Sequence, residues 1–248
     1  MLFRSKDEAI DPAAIETFWS QLPDEYFLQR SAEETAWHTG LCLQAWHQQP
    51  PIVGIRHNRE RHCTEIALYV RDQPFLFTRA TSLLSQMGLN VVSASVTTSA
   101  DGFSLDTFHV LGPNGQPLED RWILDDLRDA LRRTLQESGP PDTLPARHLS
   151  RRKRQFSVPT EIEFFQDKYK DRTIVQIQTA DFPGLLSRIA RGFAEADVQI
   201  QSAKVATLGE RVEDIFFVTD AQGRAIIDPA RLDALAEMLR SSIRTDDD

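Results

Sequence analysis

One stretch of this chain is written twice. Thr64 answers to Thr173, Asp72 to Asp181, Arg79 to Arg188, Asn90 to Gln199, Ala94 to Ala203 and Val96 to Val205, always 109 positions apart. After one hairpin the spacing becomes 108, and it pairs Asp106 with Asp214, Phe108 with Phe216 and Gly115 with Gly223. Chance does not hold a register over about fifty positions, so the chain carries an internal repeat of one structural unit. The one-residue change is an indel in a turn. A chain of 248 residues therefore divides into two small units rather than one large domain.

Within each copy the apolar residues set the elements. Ile66, Leu68 and Val70 alternate as a strand, and Leu76, Ala80, Leu83, Leu84 and Met87 follow at helical spacing. Asn90 to Thr98 and Phe103 to Leu111 read as two strands joined at Asp101-Gly102. Ile123, Leu127, Ala130, Leu131 and Leu135 then mark a second helix. The second copy repeats these five elements over Thr173–Thr179, Leu185–Ala196, Val198–Thr207, Arg211–Thr219 and a helix opened by Asp228-Pro229. Phe156, Val158, Ile162 and Phe164 alternate as a fourth strand of the first unit, and Pro159 within it predicts a sheet edge. The fold class is thus α+β: two ferredoxin-like βαββαβ units over 64–165 and 171–243, the second lacking its last strand. A helical segment over 1–51 precedes them, with Ser31-Ala32-Glu33-Glu34 as a capping box. That segment holds Trp19, Trp37 and Trp46, is too short to bury them itself, and must pack on the repeats or on another surface. Something must also cover the open strand edge of the second unit, and Ile52–Ile55 is the candidate strand.

The strand-to-helix turns are the chemically informative places. The second reads Asp181-Phe182-Pro183-Gly184-Leu185 and the first Asp72-Gln73-Pro74-Phe75-Leu76. Proline suits a first helical turn, glycine admits a ligand close to the backbone, and a helix start offers free N–H groups to an anion. An aspartate beside those groups accepts an ammonium. A carboxylate site next to an ammonium site suits a zwitterion, a free amino acid, although such a turn can also bind nothing. Gln199, Ile200 and Gln201 lie on the strand after the second turn, where the two amides can read a side-chain amide, and Asn90 matches Gln199 in the first copy. Because Gly184 is replaced by Phe75 in the first copy, the second turn is the favoured site.

Phe18 to Phe27, Ser31 to Thr39, Asp106-Thr107-Phe108 and above all Ala206 to Phe217 resemble the C-terminal region of the bifunctional PII uridylyltransferase/uridylyl-removing enzymes, whose repeats are tandem ACT domains. The resemblance runs from about residue 12 to about 243. It implies a regulatory module that senses glutamine and sets the uridylylation state of the nitrogen-signalling protein PII, with magnesium and UTP used by catalytic domains upstream. No cofactor and no metal is implied for this chain itself, which shows no nucleotidyl-transfer Gly-Ser…Asp-x-Asp string and no His-Asp dipeptide. The alternative is an ACT-domain sensor that stands alone or serves another enzyme or amino acid. Related modules pair side by side, so a homodimer and an internal pairing are both open.

Other classes fare worse. A net charge of −9 argues against nucleic acid and against an anionic membrane surface, and the third strand lacks an aromatic RNA-binding string. The basic run Arg147, Arg151, Arg152, Lys153 and Arg154 reads as a solvated linker. His57, His62 and Cys63 lack a fourth metal ligand at typical spacing, and Asp125-Asp126 and Asp246 to Asp248 lie in an amphipathic helix and a tail. Two cysteines, no long apolar run and no apolar leader point to the cytoplasm.

Overall fold

Eight antiparallel strands form one continuous sheet, in a computed structural model that describes residues 11–44, 48–141, 159–182, 184–205, 207–208 and 211–244. Trp46, Phe156, Val158, Pro183, the basic run and the terminal aspartates lie outside the described residues. The strands are β1 (Ile52–Asn58), β2 (Cys63–Arg71), β3 (Asn90–Thr98), β4 (Phe103–Leu111), β5 (Glu161–Gln166), β6 (Thr173–Ala180), β7 (Val198–Lys204) and β9 (Arg211–Asp220), in the order β1-β2-β4-β3-β7-β9-β6-β5. The short β8 (Thr207–Leu208) pairs with β9. The helices are α1 (Pro12–Ser20), α2 (Asp24–Leu28), α3 (Ala32–Leu43), α4 (Leu76–Gln86), α5 (Arg121–Gln136), α6 (Leu185–Glu195) and α7 (Pro229–Ile243). No helix among the described residues is long and apolar enough to cross a membrane.

The two repeats sit side by side in this sheet, joined where β3 meets β7. Ala94 stands opposite Ala203, its own repeat mate, so a local two-fold axis passes between them. Helices α4 to α7 cover one face. Leu127, Leu131 and Leu135 of α5, Ile189 and Phe193 of α6, and Leu235 and Leu239 of α7 share a core with Ile66, Leu68, Phe108, Val175, Ile177 and Phe216 of the strands.

The sequence assigns the strand near Ile162 to the first unit and offers Ile52–Ile55 to the second. The structure reverses both. β5 pairs with β6 of the second unit, Ile162 opposite Ile177, and β1 pairs with β2 of the first, Ile55 opposite Ile66. The second unit therefore has its fourth strand, supplied from before its first strand. Each unit is a βαββα core with its edge strand added at the front. The reason is geometric: β2 and β6 are equivalent and offer the same unpaired edge, so an alternating segment fits beside either.

The helical segment lies on the other face of the first unit. Phe18, Leu22, Tyr26, Leu41 and Cys42 pack on Ile52, Ala67, Tyr69 and Leu105. This explains the contrast between two equivalent strands: β2 is buried from Cys63 to Val70, whereas β6 alternates buried and half-buried. The capping box forms as expected, with Ser31 Oγ accepting from Glu34 N at 3.1 Å and Glu34 Oε2 from Ser31 N at 3.0 Å. Helix α3 lands on β1 at Gly54, where an added Cβ meets both Leu41 methyls at 2.8 Å and Trp37 at 3.0 Å. Gly54→Ala is expected to cost about 1–3 kcal/mol by overpacking, read as a lower midpoint of urea unfolding.

Candidate functional site

Both Asp-x-Pro turns open onto cavities at the joint between the units, and each cavity has walls from both. The first, about 320 Å³, is lined by Asp72, Gln73, Pro74 and Phe75 of the first unit and by Gln199, Ile200 and Gln201 of the second. The second, about 390 Å³, is lined by Asp181, Phe182, Gly184 and Leu185 of the second unit and by Asn90 and Val91 of the first. The sequence groups Gln199 to Gln201 with the Asp181 turn, because they follow it in the chain. The structure places them against Asp72 instead, and places Asn90 against Asp181. The two-fold relation at Ala94 and Ala203 causes this exchange: antiparallel pairing of β3 with β7 carries each strand's start across to the other unit's turn.

The turns themselves are alike. Phe75 has φ 65° and ψ 7°, and Gly184 has φ 83° and ψ 3°, both left-handed and both at the helix N-cap. The substitution that argues against the first turn thus leaves its backbone path unchanged, at a strain on the order of 1–2 kcal/mol for a non-glycine residue. Neither α4 nor α6 has a side-chain cap, whereas Asp11, Ser31, Asp120 and Asp228 each cap the helix they precede. At these helix starts Leu76 N donates to Gln73 O at 3.3 Å and Leu185 N to Phe182 O at 3.2 Å, and a helix N-terminus as such favours an anion.

Each cavity also holds a second acid that the sequence reading passed over. Asp106 on β4 lines the first and Asp214 on β9 the second; both are buried at 1% exposure. The available signal was a mid-strand aspartate among apolar neighbours, recurring in both copies. Ser104 Oγ donates to Asp106 Oδ1, and Asp106 Oδ2 has no hydrogen-bond partner among the described residues. Burial pushes the Asp106 carboxyl up to about 7, with the Asp72 charge adding to the rise and the Ser104 hydroxyl opposing it. Gln73 is not free to meet a ligand: its Nε2 donates to Leu135 O at 3.2 Å and to Glu137 O at 3.4 Å, closing the end of α5. Gln201 Nε2 donates to Thr219 Oγ1 at 3.2 Å.

Two family models match the chain. The fifth domain of uridylyltransferase GlnD matches residues 6–41, a span that takes in α1, α2 and most of α3. An ACR9-like, ACT-like domain matches residues 162–246, a span that opens inside β5 and so takes in the edge strand of the second unit. Bifunctional uridylyltransferase/uridylyl-removing enzymes of Pseudomonas putida strain GB-1 and Pseudomonas entomophila strain L48 are each 37% identical over 94% of this chain. The chain matches the C-terminal region of this enzyme family. It spans 26% of the length of those relatives. An aspartate kinase from Synechocystis overlaps 73% of the chain and 27% of its own at 14% identity, with a TM-score of 0.42.

Proposed function

We propose that this chain is the glutamine-sensing regulatory region of a bifunctional uridylyltransferase/uridylyl-removing enzyme, and that it sets whether the PII protein gains or loses uridylyl groups. The observation that supports this reading most is the composition of the two cavities: an uncapped helix start and two aspartates from one unit, amide-bearing strand from the other. The helix N–H groups take the α-carboxylate of an amino acid. Asp72 with Asp106, and Asp181 with Asp214, take the α-ammonium. Gln199 and Gln201 in the first cavity, and Asn90 in the second, meet the side-chain amide by donating and accepting. Since the walls belong to different units, a ligand holds the units in one arrangement, and only a ligand that favours one arrangement can report to catalytic domains.

A millimolar site corresponds to roughly −4 kcal/mol, within reach of a few charge-assisted hydrogen bonds at about 1.5–3 kcal/mol each once ordering costs are met. Calorimetry of the chain against the twenty amino acids tests the proposal. Saturable heat is expected with glutamine and much weaker heat with glutamate, whose second carboxylate meets Gln199 and Asn90 without a donor of its own. Equal heats for all amino acids, or none, defeat it; saturation by a different amino acid would leave an ACT sensor of that amino acid.

A further inference from the structure

A second polar centre lies away from both cavities, beneath α3. Glu34 comes from α3, Glu65 from β2 and His109 from β4, where Glu65 and His109 stand opposite one another in register. They are 5%, 0% and 6% exposed. The outer atom of each is fixed by a neighbour. Glu34 Oε2 accepts from Ser31 N at 3.0 Å, Glu65 Oε2 accepts from Arg56 Nε at 2.8 Å and Asn58 Nδ2 at 3.0 Å, and His109 Nδ1 bonds Ser93 Oγ at 2.8 Å.

The inner atoms are not satisfied in this way. Glu65 Oε1 and His109 Nε2 have no hydrogen-bond partner among the described residues. Yet His109 Nε2 stands 3.8 Å from Glu65 Oε1 and 3.8 Å from Glu34 Oε1, and the three inner atoms lie within 4.8 Å of one another. That separation is too long for a hydrogen bond, and buried polar atoms left unpaired are costly. Two carboxylate oxygens and an imidazole nitrogen converging on one point need something electropositive between them.

We propose that Glu34 Oε1, Glu65 Oε1 and His109 Nε2 form a binding site for a divalent ion of the zinc class, with a fourth position left to water. One imidazole with two carboxylates is a donor set that such ions accept. Adjacent ligands in a tetrahedral shell with bonds of about 2.0–2.2 Å stand roughly 3.3–3.6 Å apart, so the two 3.8 Å edges to His109 need to close by a few tenths of an ångström and the edge between the carboxylates, within 4.8 Å, by at most about 1.5 Å. With Nδ1–H donating to Ser93, Nε2 presents its lone pair inward, and the outer bonds to Ser31, Arg56 and Asn58 orient the carboxylates as metal sites require. A cavity of about 300 Å³ lined by Glu34, Arg56 and Asn58 borders the cluster on the Glu34 side. Arg61 Nε, 3.7 Å from Glu34 Oε1 on a half-exposed side chain, is the cation that competes for the inner oxygen and that gives way when the ion enters. The histidine–cysteine run of the sequence is not this site: His57 and His62 are exposed, and the cluster draws on none of them. An ion here fastens the helical segment to the first unit.

The full chain, stripped with EDTA and desalted, is titrated with Zn²⁺ and with Mg²⁺ by calorimetry, and its thermal unfolding is followed with each. One equivalent of Zn²⁺ is expected to bind and to raise Tm, with no response to Mg²⁺. His109→Gln and Glu65→Gln should each weaken binding by more than about tenfold. Arg61→Gln should tighten it, and His57→Gln and His62→Gln should leave it unchanged. Arg61→Gln keeps every ligand, so it tests the site even where Glu65→Gln fails to fold. The proposal is overturned by an absence of saturable Zn²⁺ binding, which would leave a buried water at this point, by binding that survives His109→Gln, or by binding lost in His57→Gln or His62→Gln.

Discussion

Asp106→Asn is expected to stabilise the chain, and by more as the pH rises from about 4 to about 7. Asp106 holds its proton up to about 7 because burial disfavours the carboxylate. Unfolded, the same group loses its proton near 4. Between those values the folded chain binds more protons than the unfolded one, so wild-type stability falls with rising pH across that window. The penalty is complete above about 7, where it reaches an upper bound on the order of 4 kcal/mol. Asparagine has no charge to desolvate and keeps an oxygen for the Ser104 hydroxyl. His109, held at about 4 by burial, acts in the opposite sense: the unfolded chain takes up its proton first, so stability rises with pH between about 4 and 6.5. That contribution is common to both proteins and cancels in their difference. Urea midpoints compared between about pH 5 and pH 8 supply the test, and parallel curves for the two proteins would mean that Asp106 is not held protonated.

The same substitution bears on ligand binding. If Asp106 receives the α-ammonium in the first cavity, losing its charge should weaken binding there by about 10- to 100-fold, the worth of one charge-assisted hydrogen bond. Glutamine would also expel the Asp106 proton below about pH 7, which shows as a heat that depends on the ionisation enthalpy of the buffer. Heats independent of the buffer would place the ammonium elsewhere.

What could be read from the residues, and what could not, divides along a physical line. The repeat, the five elements of each copy and the capping box at Ser31 rest on local patterns, apolar spacing and turn chemistry, and local patterns act before any tertiary contact exists. The partner of β5 was not legible, because Ile162 and Phe164 say only that the segment alternates, while β2 and β6 present equivalent edges. The grouping of Gln199 to Gln201 failed for a similar reason. Which turn they face depends on two register pairs at the joint, Ala94 with Ala203 and Ser95 with Ser202, and those residues carry no mark of their partners. Phe75 in a left-handed conformation runs against side-chain preference, so its likeness to Gly184 emerges only from coordinates. Asp106 and Asp214 were visible as a recurring mid-strand acid, and their place on the cavity walls follows from the sheet.

Ala203→Asp is expected to abolish binding in both cavities at once, whereas Asp72→Ala should empty only the first and Asp181→Ala only the second. Ala203 is 1% exposed and faces Ala94 at the two-fold axis. A carboxylate there has no partner, and burying it costs on the order of 3–5 kcal/mol. The joint is where such a cost is most easily relieved, since β3 and β7 share two register pairs against eight between β6 and β9. Parting the strands there relieves the charge and removes the opposite wall from each turn. Wild-type protein with ligand at about 100 times Kd should gain about 2.7 kcal/mol of stability for each occupied cavity, and the Ala203→Asp protein none. A variant that folds and still binds ligand at wild-type stoichiometry would show that each turn holds its ligand within its own unit. A module of that kind could bind an amino acid yet would have no reason to move one unit against the other, because nothing in the bound state would depend on how they sit. In the proposed reading the shared walls connect occupancy to arrangement, so the double loss in one variant is the measurement on which that reading turns.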